Sequence, residues 1–162
     1  MVIGDRSAGA RFHTSRGVED RFAKYCMAMS DKNVQVFKRG ADAYNRRDVE
    51  ALLEELHPEI EWRPLLPVLL GGEAAIVRGY EDVRQGMRDL EEAFAELRAE
   101  PSEYRVLGER VVALGQLHGR GRGSGVETDS PIAWVVDFKD GKAVRIWEYA
   151  DPGEALEAAD AE

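Results

Sequence analysis

The sequence predicts an α+β domain, and three observations carry that reading. Apolar residues recur at helical spacing over most of the chain up to Pro101; beyond it they alternate at period two between glycine and charged turns; and no strand–helix–strand run of the parallel crossover kind intervenes. At 162 residues the chain has the length of one domain, able to bury roughly 70% of its unfolded surface.

Residues 1–29 mix Gly, Ser and charge without clear periodicity. They read either as an extension ahead of a true start at Met27 or Met29, or as a tail with a short helical piece around 18–28. The domain proper is expected over 30–162. Val34, Phe37, Ala41 and Tyr44 step by three and four, with Ser30 or Asp31 as N-cap, and predict a first helix. After a break at 45–47, Asp48 caps a second helix through Leu56, whose face is Val49, Leu52, Leu53 and Leu56, until Pro58 stops it.

Residues 59–65 alternate like a strand with two unlike faces. Gly79 then precedes a third helix over about 80–98, with Val83, Met87, Leu90, Phe94 and Leu97 as its buried stripe and the acidic run 81–100 as its wet face; Pro101 ends it. Strands follow at 104–108, 111–119, 128–138 and 143–149, Asp140 and Gly141 form a hairpin turn, and 153–159 reads as a closing helix. The later strands carry bulky residues on both faces, Trp134, Val136 and Phe138 on one and Val135 on the other. That pattern predicts either a dimer interface on the outer face or a monomer with an apolar patch.

Composition removes several classes of function. Lys and Arg number 22 against 31 Asp and Glu, a formal net charge of −9, and no long basic run is present to neutralise phosphates, so nucleic acid is not an expected partner. The apolar stretches 65–70 and 132–136 fall far short of the ~20 residues that span a bilayer, and no secretory signal pattern opens the chain, so the expectation is a cytoplasmic protein with no membrane partner. Cys26 is the single cysteine, which excludes an internal disulfide and multi-cysteine metal sites. His57 with Glu59 and Glu61 lacks the further ligand at useful spacing that a metal site needs, and helix-end and strand-surface roles suit these residues, so no metal is expected. The glycine-rich run 119–125 joins two strands and offers no helix N-terminus to a phosphate; it reads as a hairpin loop, with Arg120 and Arg122 placed to guard a pocket.

The segments NRRDVEALL (45–53), HPEIEW (57–62), GYEDV (79–83) and FKDGK (138–142), in that order and spacing, resemble the SnoaL-like branch of the nuclear transport factor 2-like superfamily over about 33–159. The resemblance implies a cone-shaped, strongly curved mixed or antiparallel sheet wrapped around N-terminal helices, a pocket at its open end, and a homodimer formed through the outer sheet face. It carries no single function. Ketosteroid isomerases of this superfamily use a tyrosine, a basic Asp and a protonated Asp; the matching positions here are Gly40, Arg63 and Trp134, none of which does that work. Limonene-epoxide hydrolases use two carboxylates and an arginine; here Glu148 falls at one carboxylate position, while Gln116 and His118 stand where the arginine and the other acid would be.

From the chemistry of the residues, Gln116 and His118 lie two apart and share a strand face, against which a neighbouring strand can bring Glu148. His118 and Glu148 then form a general-base pair, with Gln116 donating to a substrate oxygen. The plain structural alternative is a solvated His118 and a Glu148 paired with Arg145 or Lys142 on the surface. Trp62, Trp134 and Tyr80, rings with a polar edge, suit a pocket for a flat or cyclic molecule, and Arg63 and Ile146 complete the expected ligand-binding set. Two functions follow: a cofactor-free pocket for an apolar or cyclic organic molecule, or a cofactor-independent isomerase, lyase or epoxide-hydrolase-like enzyme that uses the His118 and Glu148 pair.

Overall fold

The computed structural model describes the backbone of residues 16–161 and the side chains of 31–161. Helix α1, Arg16–Arg46, runs unbroken through Ser30 and Asp31, so neither residue acts as the expected N-cap, and the helix takes in the latter part of the stretch read as an extension. The rest of that stretch, 1–15, lies outside the described residues. The helix ends where Arg47 turns to a left-handed φ of 62°. Arg47 N–H then bonds to Tyr44 O and Asp48 N–H to Ala43 O, the paired bonds of a Schellman C-cap. Asp48 at once caps α2, Val49–Glu54, by accepting from Ala51 N–H, as its sequence position foretold.

Strand β1, Leu56–Arg63, leads through a short helix α3, Leu66–Leu69, and a two-residue strand β2, Val77–Arg78, to helix α4, Gly79–Ala93. The third helix therefore stops before Phe94, five residues short of the expected end. Strand β3, Phe94–Leu107, begins there and carries Pro101 within it. Phe94, Leu97 and Ala99 are buried as strand residues paired with β4, Arg110–Gly121, and not as the last turns of a helix. Strands β5, Glu127–Lys139, and β6, Lys142–Tyr149, are joined by the expected turn, with Asp140 and Gly141 at φ 54° and 77°, the conformation a tight hairpin requires. Helix α5, Pro152–Ala161, closes the chain.

Among the described residues the sheet has six strands, in the order β2-β1-β6-β5-β4-β3. Every pairing is antiparallel except β1 with β6, which sets Trp62 beside Ile146 in parallel. The sheet is thus mixed, and its one parallel contact joins segments from opposite ends of the chain. It is open and strongly curved around the N-terminal helices. Two register shifts in β3, before Glu96 and before Glu103, bend that edge. Gly115 permits the second: a Cβ there would stand 2.1 Å from Glu100 O.

Alternation along the strands separates two cores. Ile60, Ala113, Leu117, Ile132, Trp134, Val136 and Ile146 face inward, against Ala43, Leu52, Leu53, Val83 and Met87 of the helices. Val112, Ala133 and Val135 face outward and pack against Ala155 and Ala159 of α5. Arg110 fastens that helix, donating to Ala159 O at 2.8 Å while bonding both oxygens of Asp137 at 2.6 and 3.0 Å. The bulky outer residues of β5 are therefore covered, in part, by the chain itself. Among the described residues no helix is long and apolar enough to cross a membrane.

Candidate functional site

Between the inner sheet face and helices α1 and α4 lies a cavity of about 120 Å³. A dry protein cavity of roughly 150 Å³ accepts benzene, so this space suits a small ring or a branched chain of similar size. Its position follows from the elements already described. Helix α1 supplies Phe37 and Tyr44 at helical spacing, α4 supplies Val83, Gly86, Met87 and Leu90 from one face, and β4, β5 and β6 supply Leu117, Trp134 and Glu148 from alternate positions. The turn after β1 adds Pro64, Leu66 and Pro67.

Polar groups converge at one place on this apolar wall. Trp62 Nε1 donates to Glu148 Oε2 at 2.7 Å, and the Leu65 backbone N–H donates to Oε1 at 2.8 Å. Glu148 thereby ties the start of the α3 turn to the last strand. Burial pushes its carboxyl above the usual carboxylate range; the Leu65, Trp62 and Trp134 N–H groups, which favour the ionised form, oppose that shift without cancelling it. Tyr44 lies beside it, its ring centroid 6.2 Å from that of Trp62. Burial also raises the Tyr44 phenol, with the Glu148 charge adding to the effect and Arg47 opposing it. The other carboxyl on the wall, Glu55, is taken up by Arg39 through two bonds of 3.1 Å.

The cavity brings together Trp62, Trp134, Ile146 and Glu148 of the residues singled out from sequence. It does not bring His118 to them. Gln116 and His118 do share a face of β4, but Leu117 and Ala113 take the inner phase, so both point to the outer side: Gln116 is exposed, and the His118 side chain is 44% exposed. His118 Nδ1 instead meets Asp129 of β5, and its Nε2 lies 3.1 Å from Glu100 of β3. The Asp129 hydrogen bond first, then the charges of Asp129 and Glu100, holds the imidazole above its ordinary pKa. The expected His118 and Glu148 pair is not assembled, because one residue lies on each side of the sheet. Nor does Glu148 pair with Arg145 or Lys142 at the surface.

Two more expected ligand contacts lie elsewhere. Arg63 is on the outer side of β1, its guanidinium 5.1 Å from the ring centroids of both Trp147 and Tyr149. Tyr80, in the first turn of α4, donates to Leu56 O at 2.8 Å and so anchors that helix to β1. Sequence reasoning missed Phe37, Tyr44 and Met87 as cavity residues. The signal was present, since each belongs to an apolar helical stripe; a stripe alone does not tell a packed contact from a cavity wall. Among the described residues, no group of three or more His, Cys, Asp or Glu is placed to hold a metal ion.

A family model described as a SnoaL-like domain matches residues 37–146, a span that contains α2, α4 and the cavity strands as far as Ile146 and ends two residues before Glu148. The chain belongs to the SnoaL-like domain family. Solved structures agree on its fold. This SnoaL-like chain is similar to an NTF2-like protein of unknown function from Burkholderia pseudomallei, with 27% identity and a TM-score of 0.65 over 78% of this chain and 95% of that one. It is similar to TerC, crystallised with polyporic acid, at 22% identity and a TM-score of 0.64 over 80% and 98% of the two chains. A protein from Jannaschia sp. named as a candidate SnoaL-like polyketide cyclase is similar at 20% identity and a TM-score of 0.62, over 83% and 95%. A search of curated proteins found no match.

Proposed function

We propose that this SnoaL-like domain binds a small apolar or cyclic organic molecule in the cavity beneath its sheet. One observation carries the reading: a space of about 120 Å³ with a largely apolar wall and a convergent polar cluster built on Glu148. Apolar walls supply affinity and a few placed polar groups supply orientation, which is the usual division of labour in small-molecule pockets. The neighbour TerC was crystallised with polyporic acid, in keeping with a fold that holds organic ligands. The test is a titration of the purified chain with benzyl alcohol and related single-ring molecules, followed by tryptophan fluorescence. Trp62 and Trp134 border the space, so saturable quenching or a spectral shift is expected. A signal that stays linear to the solubility limit would refute the reading.

The raised proton affinity of Glu148 favours a second reading, a cofactor-independent enzyme in which this carboxyl gives or takes a proton. In that case Glu148 works with Tyr44 and the two indoles around it, and His118 has no part. Once a substrate is in hand, Glu148→Gln is expected to lower kcat by about 100-fold or more while His118→Ala leaves it unchanged; the reverse result would refute this assignment.

A further inference from the structure

We propose that the ligand is a small amine whose protonated nitrogen sits against Glu148 and whose carbon skeleton rests on the rings of Phe37, Tyr44, Trp62 and Trp134. The inference rests on the cavity being a ligand site and names the chemistry of its occupant. It follows from the sign of the charges on the wall. Among the described residues, the lining holds two carboxyls, Glu55 and Glu148, and no Lys, Arg or His. Arg39 neutralises Glu55. Glu148 has only neutral N–H partners, Trp62 Nε1 and the Leu65 N–H, with the Trp134 indole beside them. Arg47 bonds to the carbonyls of Tyr44 and Leu97 and also donates to the Tyr44 phenol, so it stands behind that ring and is not itself a lining residue.

Hydrogen-bond inventory points the same way. Each Glu148 oxygen already accepts one N–H bond, so what it offers a guest is its remaining lone pairs, which call for a donor. An acceptor guest would face a carboxyl held in acceptor geometry. A carboxylate or phosphate guest would add a second negative charge beside Glu148 on an apolar wall with no cation among its lining residues, a costly arrangement. An ammonium gives Glu148 the opposite charge it lacks. Four aromatic residues line the same wall, and an aromatic face carries a negative quadrupole that attracts a cation. Phe37 and Trp134 meet edge to face at 5.4 Å, and Tyr44 and Trp62 are tilted at 6.2 Å, so the two ring pairs are set at fixed angles on the wall. The acid, the neutral donors and the rings together select charge as well as size.

Three probes with one ring and different charge test this on the full chain: benzylamine, benzyl alcohol and benzoate, titrated by tryptophan fluorescence or calorimetry. Benzylamine is expected to bind about tenfold or more tightly than benzyl alcohol near neutral pH, the scale of a desolvated cation–aromatic contact with a charge partner, and benzoate weakest of all. Lowering the pH from about 8 into the acid range leaves benzylamine protonated while it drives Glu148, whose carboxyl is raised by burial, toward its neutral form, so benzylamine affinity is expected to fall as pH falls while that of benzyl alcohol holds. Tyr44, Glu55 with Arg39, and Arg47 behind Tyr44 are the other charged or titratable groups around the acid, and Tyr44 stays neutral over that range. Glu148→Gln is expected to bring benzylamine down to the affinity of benzyl alcohol; should this variant fail to fold, the pH series on the unaltered chain decides. Benzyl alcohol or benzoate binding as tightly as benzylamine would overturn the amine assignment and leave the pocket standing. Failure of all three probes to bind would overturn both.

Discussion

Gly86 is the position at which cavity and stability are set against each other. It lies in the interior of α4, on the same face as Val83, Met87 and Leu90, and borders the cavity. A Cβ built on it meets nothing within 4 Å. Glycine inside a helix costs about 0.8–1 kcal/mol relative to alanine, and leucine is nearly as good a helix former. A leucine at 86 also covers apolar surface, at about 0.8 kcal/mol per methylene buried. Gly86→Leu is therefore expected to stabilise the fold by about 1 kcal/mol or more, which for a chain of this size raises Tm by about 2–4 °C per kcal/mol. The same side chain takes space from the guest, so benzyl alcohol affinity is expected to fall at least about tenfold. Thermal melting by circular dichroism and a fluorescence titration on the same sample measure the two effects. A Tm lowered by several degrees would mean that the space is not empty. An unchanged affinity would mean that the molecule binds elsewhere.

Other outcomes follow from particular contacts. Asn45 clamps α1 to β3 by donating to Ala99 O and accepting from Ala99 N–H, both at 2.8 Å. Asn45→Ala strands two backbone groups and is expected to cost about 2 kcal/mol or more in urea unfolding; a loss under about 0.5 kcal/mol would show that water replaces the clamp freely. Gly115→Ala places a Cβ 2.1 Å from Glu100 O and is expected to cost about 1–3 kcal/mol as β3 and β4 part, whereas Gly86→Ala, with open space around it, is expected to stabilise. The Glu148 carboxyl is raised in the folded chain, so the folded state keeps a proton that the unfolded state releases. Its stabilising contribution is whole below the unfolded carboxylate pKa of about 4.3 and is lost as pH climbs through the higher folded value. The stability difference between the unaltered chain and Glu148→Gln should change with pH in that window, the unaltered chain losing ground as pH rises; a difference flat in pH would contradict the shift.

Local chemistry made much of this fold legible. Asp48 and the left-handed pair Asp140 and Gly141 announce a cap and a turn because each answers a backbone demand within a few residues. The end of α4 did not announce itself. Phe94 and Leu97 continue the stripe of Val83, Met87 and Leu90, and the intervening Ala, Glu and Arg are good helix formers; pairing with β4 overrides that preference. The passage of α1 through Ser30 and Asp31 is the converse case, where two residues suited to a cap lie inside a helix. The parallel contact of β1 with β6 joins residues more than eighty positions apart, such as Trp62 and Ile146, and leaves no mark on local periodicity.

The site divides along the same line. Trp134 and Glu148 fall on the inner face by strand phase, opposite each other in the β5 and β6 register, so position in sequence was enough to bring them together. His118 failed because phase on β4 is decided by Leu117 and Ala113, which claim the interior. Read from those two apolar neighbours, His118 and Gln116 belong outside. Tyr44 and Phe37 were visible as a stripe, but whether a stripe meets side chains or empty space depends on how far α1 stands from the sheet, which is a tertiary quantity.

The three tryptophans give the central claim its most direct measurement. Trp62 and Trp134 border the cavity, while Trp147 belongs to the outer cluster, between Arg63 and Arg145. Indole N–H signals of a nitrogen-15-labelled sample, followed by NMR as benzylamine, benzyl alcohol and benzoate are added in turn, should show Trp62 and Trp134 shifting together to saturation with at least one probe, and Trp147 unmoved. Shifts confined to Trp147, or none with any of the three probes up to its solubility limit, would contradict a guest site beneath the sheet.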